Sequence, residues 1–486
     1  MRAQHYDVVF LGDRTPTLLG AAFLARRGFR VLLLTEETLA ERSGSVAFML
    51  PLESPPIRSL LEALALLPTI RRRVLTTEWA ASIRYHERSL DLPRDGALRL
   101  AVFEREFPGS ASKLSRFERS ARELLAAFDA LLEAGHGPFT DGFFAKRARR
   151  SFERRRLSES LLEETDPIAP LRSQLPLLRV FHSLLSLHTG LPAKSLPPAA
   201  QAIVYLRLLE GSVRVDGGEA WLRERLLEAF LDHGGAIERK RNVGQLLVKR
   251  GHIDGIRFSD GREEIGASMI ISGLREERLR SLLGAPPLPH RETIASTVVH
   301  IPQHALPVGF GAHLYFRPRG AQARGLTLYL ERIGEPVGGT HRYQLIARGD
   351  DKSIQRAQLE AAFAELLPLS HESIEFDSPL HAAAPRVYAS SDGRLTSRES
   401  PSGHGRTLRR ASHYSVHPSG ASRSLFDFAA LPIERSPRGL FFAGPDSLPA
   451  LGVEGEFLAV EAACRRALRS SLGRSHARFH PLRSLD

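Results

Sequence analysis

The chain has 486 residues, 42% of them hydrophobic and 25% charged, so its composition is that of a globular protein with two or three domains. Its single cysteine, Cys464, excludes an internal disulfide framework and fits a reducing compartment. The formal net charge is +12. The first residues, MRAQHYD, contain no apolar signal-peptide core, so we expect a cytoplasmic protein. No uncharged apolar run reaches the roughly 18 residues that a membrane span needs.

The first forty residues predict a strand, a helix and a second strand. Residues 6–11 (YDVVFL) form a short apolar run without alternation, which is typical of a buried parallel strand. Apolar side chains recur at helical spacing over 18–27, and Gly28 is a natural helix end. Residues 29–34 (FRVLLL) give the second strand. This order and length are typical of the βαβ unit that opens a dinucleotide-binding fold.

The turn between the first strand and the helix departs from the dinucleotide fingerprint. That fingerprint has three glycines, for the tight turn, for approach of the pyrophosphate and for helix packing, and an acid after the second strand. Here the three positions carry Gly12, Arg14 and Thr17, and Thr35 stands where the acid is expected. One glycine of the three is present, so the frame of the site is predicted but its ligand-contacting positions are altered.

The region up to residue 210 is predicted to be mainly helical. We expect a helix over 58–67 that Pro68 ends, one or two strands over 74–92, and an amphipathic helix over 112–132. Residues 143–210 form short, apolar helical pieces, which either line a pocket, rest on a membrane surface or pack as an ordinary core. His182 and His188 lie on or near the apolar face and are more typical of structural histidines.

A basic run, KRARRSFERRR, covers residues 146–156. A solvated helix face is the more ordinary interpretation of such a run, and the alternative, beside apolar helices, is peripheral association with anionic membrane lipid. No helix-turn-helix, zinc-finger or RNA-binding signature accompanies it, so we expect no specific nucleic-acid partner.

The second half alternates between helix and strand. A helix is predicted over 219–231, followed by several strands, a strand-rich stretch over 295–347 and a helix over 352–367. Residues 390–424 are rich in Ser, Gly, Arg and His, so we expect an exposed, mobile loop there. Residues 440–468 read as a strand, a glycine-rich loop and a helix.

Four stretches carry a resemblance to a known family: the N-terminal βαβ unit, residues 215–261, the strand ASMIISG and the segment LFFAGPDSLPALGVEGEFLAVEAA. In their order and spacing the chain resembles the FAD-dependent amine oxidase and phytoene desaturase-like oxidoreductases. The resemblance implies an α/β fold, in which a Rossmann-like FAD-binding domain (GR2-type) carries an inserted helical and β-sheet substrate domain. It implies FAD-binding segments over 1–75, 211–280 and 431–486, a mostly helical segment over 76–210, and a β-rich segment over 281–430.

The resemblance also implies roles for individual residues. Gly12 would make the turn under the FAD pyrophosphate, and a backbone group of Val243 would meet the adenine. Gly444 would end the strand that leads to the flavin loop. Asp446 belongs to the stretch that loosely matches the family's C-terminal motif. Residues 452–455 would begin the last helix, with its amides toward the flavin. The loop and helix positions carried over are Gly444, Asp446, Gly452, Val453 and Gly455.

Two functions follow from the resemblance and from the departures. The first is a flavin-dependent oxidoreductase that takes a hydride from an apolar, isoprenoid-like or amine substrate held among the helices of residues 110–210. The second is a degenerate, non-catalytic member that has lost FAD and serves as a scaffold, carrier or assembly partner, because Arg14, Thr17 and Thr35 are altered together. No triad, metal cluster or carboxylate pair stands out, so the sequence assigns no catalytic residue.

Overall fold

The computed structural model describes residues 4–35, 49–75, 79–85, 88–139, 143–163, 166–189, 191, 193–239, 241–261, 263–284, 290–307, 310, 313–318, 320, 326–332, 336–349, 356–376, 410–411, 425–426, 428 and 437–472. The predicted loop over 390–424 lies outside the described residues, apart from Arg410–Ala411, which pairs with a strand of the second sheet.

The strands form two sheets. They are β1 (His5–Leu11), β2 (Val31–Thr35), β3 (Trp79–Tyr85), β4 (Arg88–Pro93), β5 (Ala236–Arg239), β6 (Val243–Lys249), β7 (His252–Phe258), β8 (Glu264–Ser272), β9 (His290–Pro302), β10 (His313–Arg317), β11 (Thr327–Arg332), β12 (Thr340–Gly349), β13 (Glu375–Phe376), β14 (Arg410–Ala411) and β15 (Leu440–Phe442).

The helices cover the sheets and fill the region between them. They are α1 (Thr15–Arg26), α2 (Pro55–Ala63), α3 (Leu67–Arg72), α4 (Gly96–Glu106), α5 (Ala111–Glu133), α6 (Phe143–Arg156), α7 (Glu159–Glu163), α8 (Leu175–Thr189), α9 (Pro198–Leu206), α10 (Gly218–Asp232), α11 (Glu276–Leu282), α12 (Arg356–Leu366) and α13 (Val453–Leu472).

The first sheet is built from stretches far apart in the chain. Its order is β5-β2-β1-β8-β7-β6, and β15 also pairs with β8. The strands β5, β2, β1, β8 and β15 are parallel, as the apolar runs of β1 and β2 predict for that pair, while β7 and β6 are antiparallel. The helices α1, α2, α10 and α13 cover one face. The carboxyl ends of β1, β2, β8 and β15 therefore meet at one edge, where this kind of sheet binds ligands.

The second sheet lies in the strand-rich part of the chain. Its order is β13-β9-β12-β11-β10-β3-β4, with β14 also on β9. The strands β3 and β4 come from the segment 76–210, so the helical part of that segment begins only at α4. One face packs against α12 through Leu359 and Phe363. The other face contributes Tyr315 and Tyr329 to the core of the helical region.

One predicted helix boundary is wrong. The sequence predicts a helix over 58–67 that Pro68 ends, but α2 covers Pro55–Ala63, and Pro68 lies in the first turn of α3. A proline is tolerated there because the first helical N–H groups have no acceptor in the helix. The same residue type therefore begins a helix where the pattern predicts an end.

Candidate functional site

The turn from β1 to α1 is built around Gly12. Its φ is +93°, and its N–H donates to the carbonyl of Leu34 at 2.9 Å. This left-handed conformation favours glycine, so Gly12 has the turn-forming role that the sequence predicts. The helix begins at Thr15, and Arg14 stands at the N-cap without a side-chain capping bond.

Arg14 does not point to an open phosphate position. Its Nε and one terminal nitrogen donate to the two carboxylate oxygens of Glu456, both at 2.8 Å. The side chains of Arg14 and Glu456 are only 17% and 6% exposed. Burial lowers the pKa of Arg14, but the carboxylate of Glu456 raises it and the net direction is upward. A bidentate pair of this kind is among the stronger charge-assisted contacts.

The pair joins the N-terminal ends of the first and the last helix. Glu456 lies in the first turn of α13, the helix whose amides the resemblance would aim at the flavin. Glu454, in the same turn, is also paired: it accepts from Nε of Arg207 at 3.0 Å, and Arg207 also binds Asp129. Two carboxylates already complement the positive end of this helix dipole.

More carboxylates surround Arg14. Asp13 pairs with Arg223 at 2.7 Å, and the hydroxyl of Thr15 donates to Glu219 at 2.7 Å. Glu219 lies close enough to raise the pKa of Arg14.

Asp446 of the C-terminal loop belongs to the same surroundings. Like Glu219, the carboxylate of Asp446 raises the pKa of Arg14. It lies 3.8 Å from Arg275 and accepts the backbone N–H of Glu276 at 3.2 Å. Arg14, Arg223 and Arg275 therefore face four carboxylates, those of Asp13, Glu219, Asp446 and Glu456.

Thr17 stands where the fingerprint has its packing glycine, and Gly273 opposite it makes room for the threonine side chain. A Cβ added to Gly273, just after β8, would lie 2.1 Å from the Thr17 hydroxyl oxygen. The close approach of helix and strand is therefore kept, with the glycine on the strand side. One turn later Gly20 has the corresponding role toward α13, since a Cβ there would lie 2.3 Å from Val460. The sequence signal for Gly20 was a lone glycine inside a helical pattern.

Thr35 and Val243 have contacts of their own. Thr35 ends β2, is 5% exposed, and pairs in register with Arg239 of β5. Its neighbours Glu36 and Glu37 lie outside the described residues. Val243 begins β6 and is buried, and its carbonyl accepts from Arg278 at 2.6 Å. That carbonyl therefore has a protein donor at the place where the resemblance sets the adenine.

The glycines of the C-terminal loop are needed for packing. Added Cβ atoms at Gly444 and Gly455 would lie 2.0 Å and 2.1 Å from the carbonyl oxygens of Leu274 and Leu448. Gly452 has φ +58°, and its Cβ would lie 2.9 Å from the carbonyl oxygen of His188. Val453 is buried as the first residue of α13. These glycines follow from close backbone contacts, whether or not a cofactor lies beside them.

The apolar helices pack as a core at the place where they meet the second sheet. Phe117, Phe181 and Tyr205 have ring centroids 5.2 to 5.3 Å apart. The cavity beside them, lined by apolar side chains and Tyr205, measures about 10 Å³, which is room for one water at most. His188 is buried, and burial lowers its pKa to about 4, so it is neutral at neutral pH.

Comparison with known proteins identifies the fold. An oxidoreductase from Methanosarcina mazei matches 96% of this chain and 100% of its own with a TM-score of 0.53 at 13% identity. Cyclohexylamine oxidase from Brevibacterium oxydans matches 96% of this chain and 99% of its own with a TM-score of 0.51, also at 13% identity. The predicted architecture, an α/β fold in which a Rossmann-like domain carries a helical and β-sheet second domain, is thereby confirmed.

Sequence comparison gives a shorter match. The chloroplastic prolycopene isomerase of Arabidopsis thaliana is 32% identical over 76 residues, which is 16% of this chain and 13% of that protein. No family model matches the chain. The resemblance to FAD-dependent amine oxidase and phytoene desaturase-like oxidoreductases therefore holds at the level of the fold. None of the described helices is both long enough and apolar enough to cross a membrane.

Proposed function

We propose that this chain keeps the flavoprotein fold without holding FAD, and that it acts by binding a small molecule or a partner rather than by transferring a hydride. The observation that carries the proposal is the ion pair between Arg14 and Glu456. It lies between the N-terminal ends of α1 and α13, which the resemblance would turn toward the pyrophosphate and the flavin. Both helix ends are therefore occupied by protein charges.

The residues present do not fit a dinucleotide. A pyrophosphate is doubly negative, and it binds where free backbone amides and a helix end attract an anion. Here Arg14 and Arg223 are already paired with the carboxylates of Glu456 and Asp13, so their charges are balanced before a phosphate arrives. For Arg14 to bind a phosphate it would have to leave Glu456, and a carboxylate that is 6% exposed would lose its partner. Leaving one member of such a partly buried pair without its partner costs about 1–3 kcal/mol.

A flavin-dependent oxidoreductase is the second candidate. The fold and the left-handed turn at Gly12 favour it. In that case Arg14 exchanges Glu456 for a phosphate oxygen, and flavin supplies the redox chemistry. The tight packing beside Phe117 and Phe181 leaves no preformed space for an isoprenoid chain at that place.

The flavin content of the purified protein decides between the two. We expect a preparation without flavin absorption bands, both native and denatured, and no quenching of flavin fluorescence when FAD is added at about 100 μM. Flavin bands at near-stoichiometric amount, or saturable quenching, would show that the proposal is wrong.

A set of variants tests why we expect the protein not to bind FAD. Arg14→Gly, Thr17→Gly, Thr35→Glu and Glu456→Gln, made together, restore the fingerprint and remove the competing carboxylate. We expect this variant to bind FAD at least about tenfold more tightly than the wild type. The same triple change without Glu456→Gln is the matched control, and equal affinity of the two would contradict the role given to Glu456.

A further inference from the structure

A cavity of about 250 Å³ runs along α13 from Leu458 to Arg469. We call it the arginine-lined cavity. Its other walls come from Pro56 of α2, from the end of α5 and from the loop 135–139. The lining residues used below are Leu132, Phe139, Leu458, Arg465, Arg466 and Arg469. The volume is slightly below the range of roughly 300–1,000 Å³ for drug-sized ligands, so it suits a smaller molecule.

The charges in this cavity favour an anion. Three arginines line it together with one acid, Glu461. Arg465 pairs with Glu461 one helical turn earlier, and the guanidinium of Arg466 lies 5.5 Å from the ring centre of Phe441. Burial raises the pKa of Glu461, against the effect of Arg465. The lining is thus positively charged overall, whether Glu461 is ionised or not.

The opposite wall is apolar and lacks side chains at two positions. A Cβ at Gly135 would lie 3.1 Å from Arg465, and one at Gly137 would lie 3.3 Å from Leu132. Gly135 has φ +72°, which disfavours a side chain. The carbonyl of Gly137 accepts from Arg149, which is 3% exposed, at 2.9 Å. A buried arginine of α6 therefore fixes this wall in place.

We propose that the arginine-lined cavity binds a small amphipathic anion, a phosphate or carboxylate on a short apolar chain. The acid group lies against Arg465 and Arg469, and the chain lies against Leu132, Phe139 and Leu458. The inference goes beyond the proposed function, because it assigns a ligand class to a site that shares no lining residue with the Arg14 cluster. Binding there is independent of whether FAD is held.

Calorimetric titration of the full-length protein with octyl phosphate, octanol and inorganic phosphate tests the proposal. We expect octyl phosphate to bind at least about tenfold more tightly than either of the others. Equal affinity for inorganic phosphate would reduce the site to an ion site, and equal affinity for octanol would show that the arginines are not used. Either result overturns the proposal.

Variants locate the binding. Arg469→Gln removes an exposed charge, and Ala462→Leu places a side chain inside the cavity. We expect each to weaken octyl phosphate binding by about tenfold, while Arg119→Gln, an exposed arginine of α5, leaves it unchanged. Unchanged binding in both cavity variants, with circular dichroism showing them folded, would overturn the proposal. The flavin spectrum of the same preparations reports separately on the proposed function.

Discussion

Glu456 is the residue on which the interpretation of the nucleotide site depends. Its carboxylate is nearly buried and accepts hydrogen bonds from Nε and one terminal nitrogen of Arg14. The pair fixes the junction of α1 and α13, and in our proposal it also occupies the place of an anionic ligand. These two roles lead to a stability prediction that needs no ligand.

Replacing Glu456 by Gln should destabilise the protein by about 1–3 kcal/mol, because Arg14 then remains little exposed without its charge partner. Urea denaturation at neutral pH measures this. The control is Glu228→Gln, since Glu228 is 48% exposed and pairs with Arg225 within one helix. That change should cost no more than about 0.5 kcal/mol. Similar losses in both variants would contradict the role of the Arg14 pair.

His188 should make stability depend on pH. Burial lowers its pKa to about 4 in the folded state, against about 6.5 in an unfolded chain. The unfolded state therefore binds the proton first, and the contribution of neutral His188 is present above about pH 6.5 and is lost as the pH falls to about 4. The limit is about 3 kcal/mol. In urea titrations the stability difference between wild type and His188→Gln should shrink steadily over this interval; a constant difference would refute the assignment.

At the scale of elements, α1 and α13 are in close contact at Gly20. The added Cβ of Gly20 would lie 2.3 Å from Val460 and 3.2 Å from the sulfur of Cys464. Gly20→Ala should therefore force the helices apart and cost about 1–3 kcal/mol in thermal or urea denaturation. Gly320→Ala is the control, since its nearest neighbour would be a glutamate oxygen 3.8 Å away. It should be neutral or slightly stabilising.

The elements themselves were largely predictable, because they depend on local patterns. The apolar runs of β1 and β2, the amphipathic α5 and the four dispersed family stretches all lie where the sequence predicts them. Pro68 is the exception, since a proline fits the first turn of a helix as well as its end.

The chemistry of the site was less predictable, because its partners are distant in sequence. Arg14 was recognised as a departure from the fingerprint, but its pairing with Glu456 joins residues 442 positions apart. The exchange of roles between Thr17 and Gly273 is similar: the sequence shows a lost glycine, and only the packing shows which residue makes room. Local patterns contain no information on such contacts.

At the scale of the whole molecule, the net charge of +12 is partly concentrated on α6. This helix is not a uniformly solvated face, since Arg149 and Glu153 are each 3% exposed. Three of its exposed arginines, Arg147, Arg150 and Arg154, recur at helical spacing on one side. Peripheral attachment to anionic lipid remains our proposal for this surface.

The proposal predicts salt-sensitive binding to anionic vesicles and none to neutral ones. Each arginine near such a surface contributes about 1 kcal/mol, so replacing Arg147, Arg150 and Arg154 by Gln should weaken vesicle binding by about a hundredfold in a sedimentation assay. A variant with Arg239, Lys249 and Arg250 changed to Gln removes the same charge from exposed positions elsewhere and is the control. Equal binding of the two variants, or equal retention on neutral vesicles, would contradict the proposal.

The packing of α1 against α13 has a consequence for synthesis in the cell. At about 5–20 residues per second, a ribosome needs about 20–90 s to pass from Arg14 to Glu456. Throughout that time the apolar side of α1 around Gly20 lacks the cover that Val460 and Cys464 later provide. We therefore expect slow folding, because these long-range contacts form last. The nascent chain exposes an apolar surface in the meantime, and we expect chaperones to bind it.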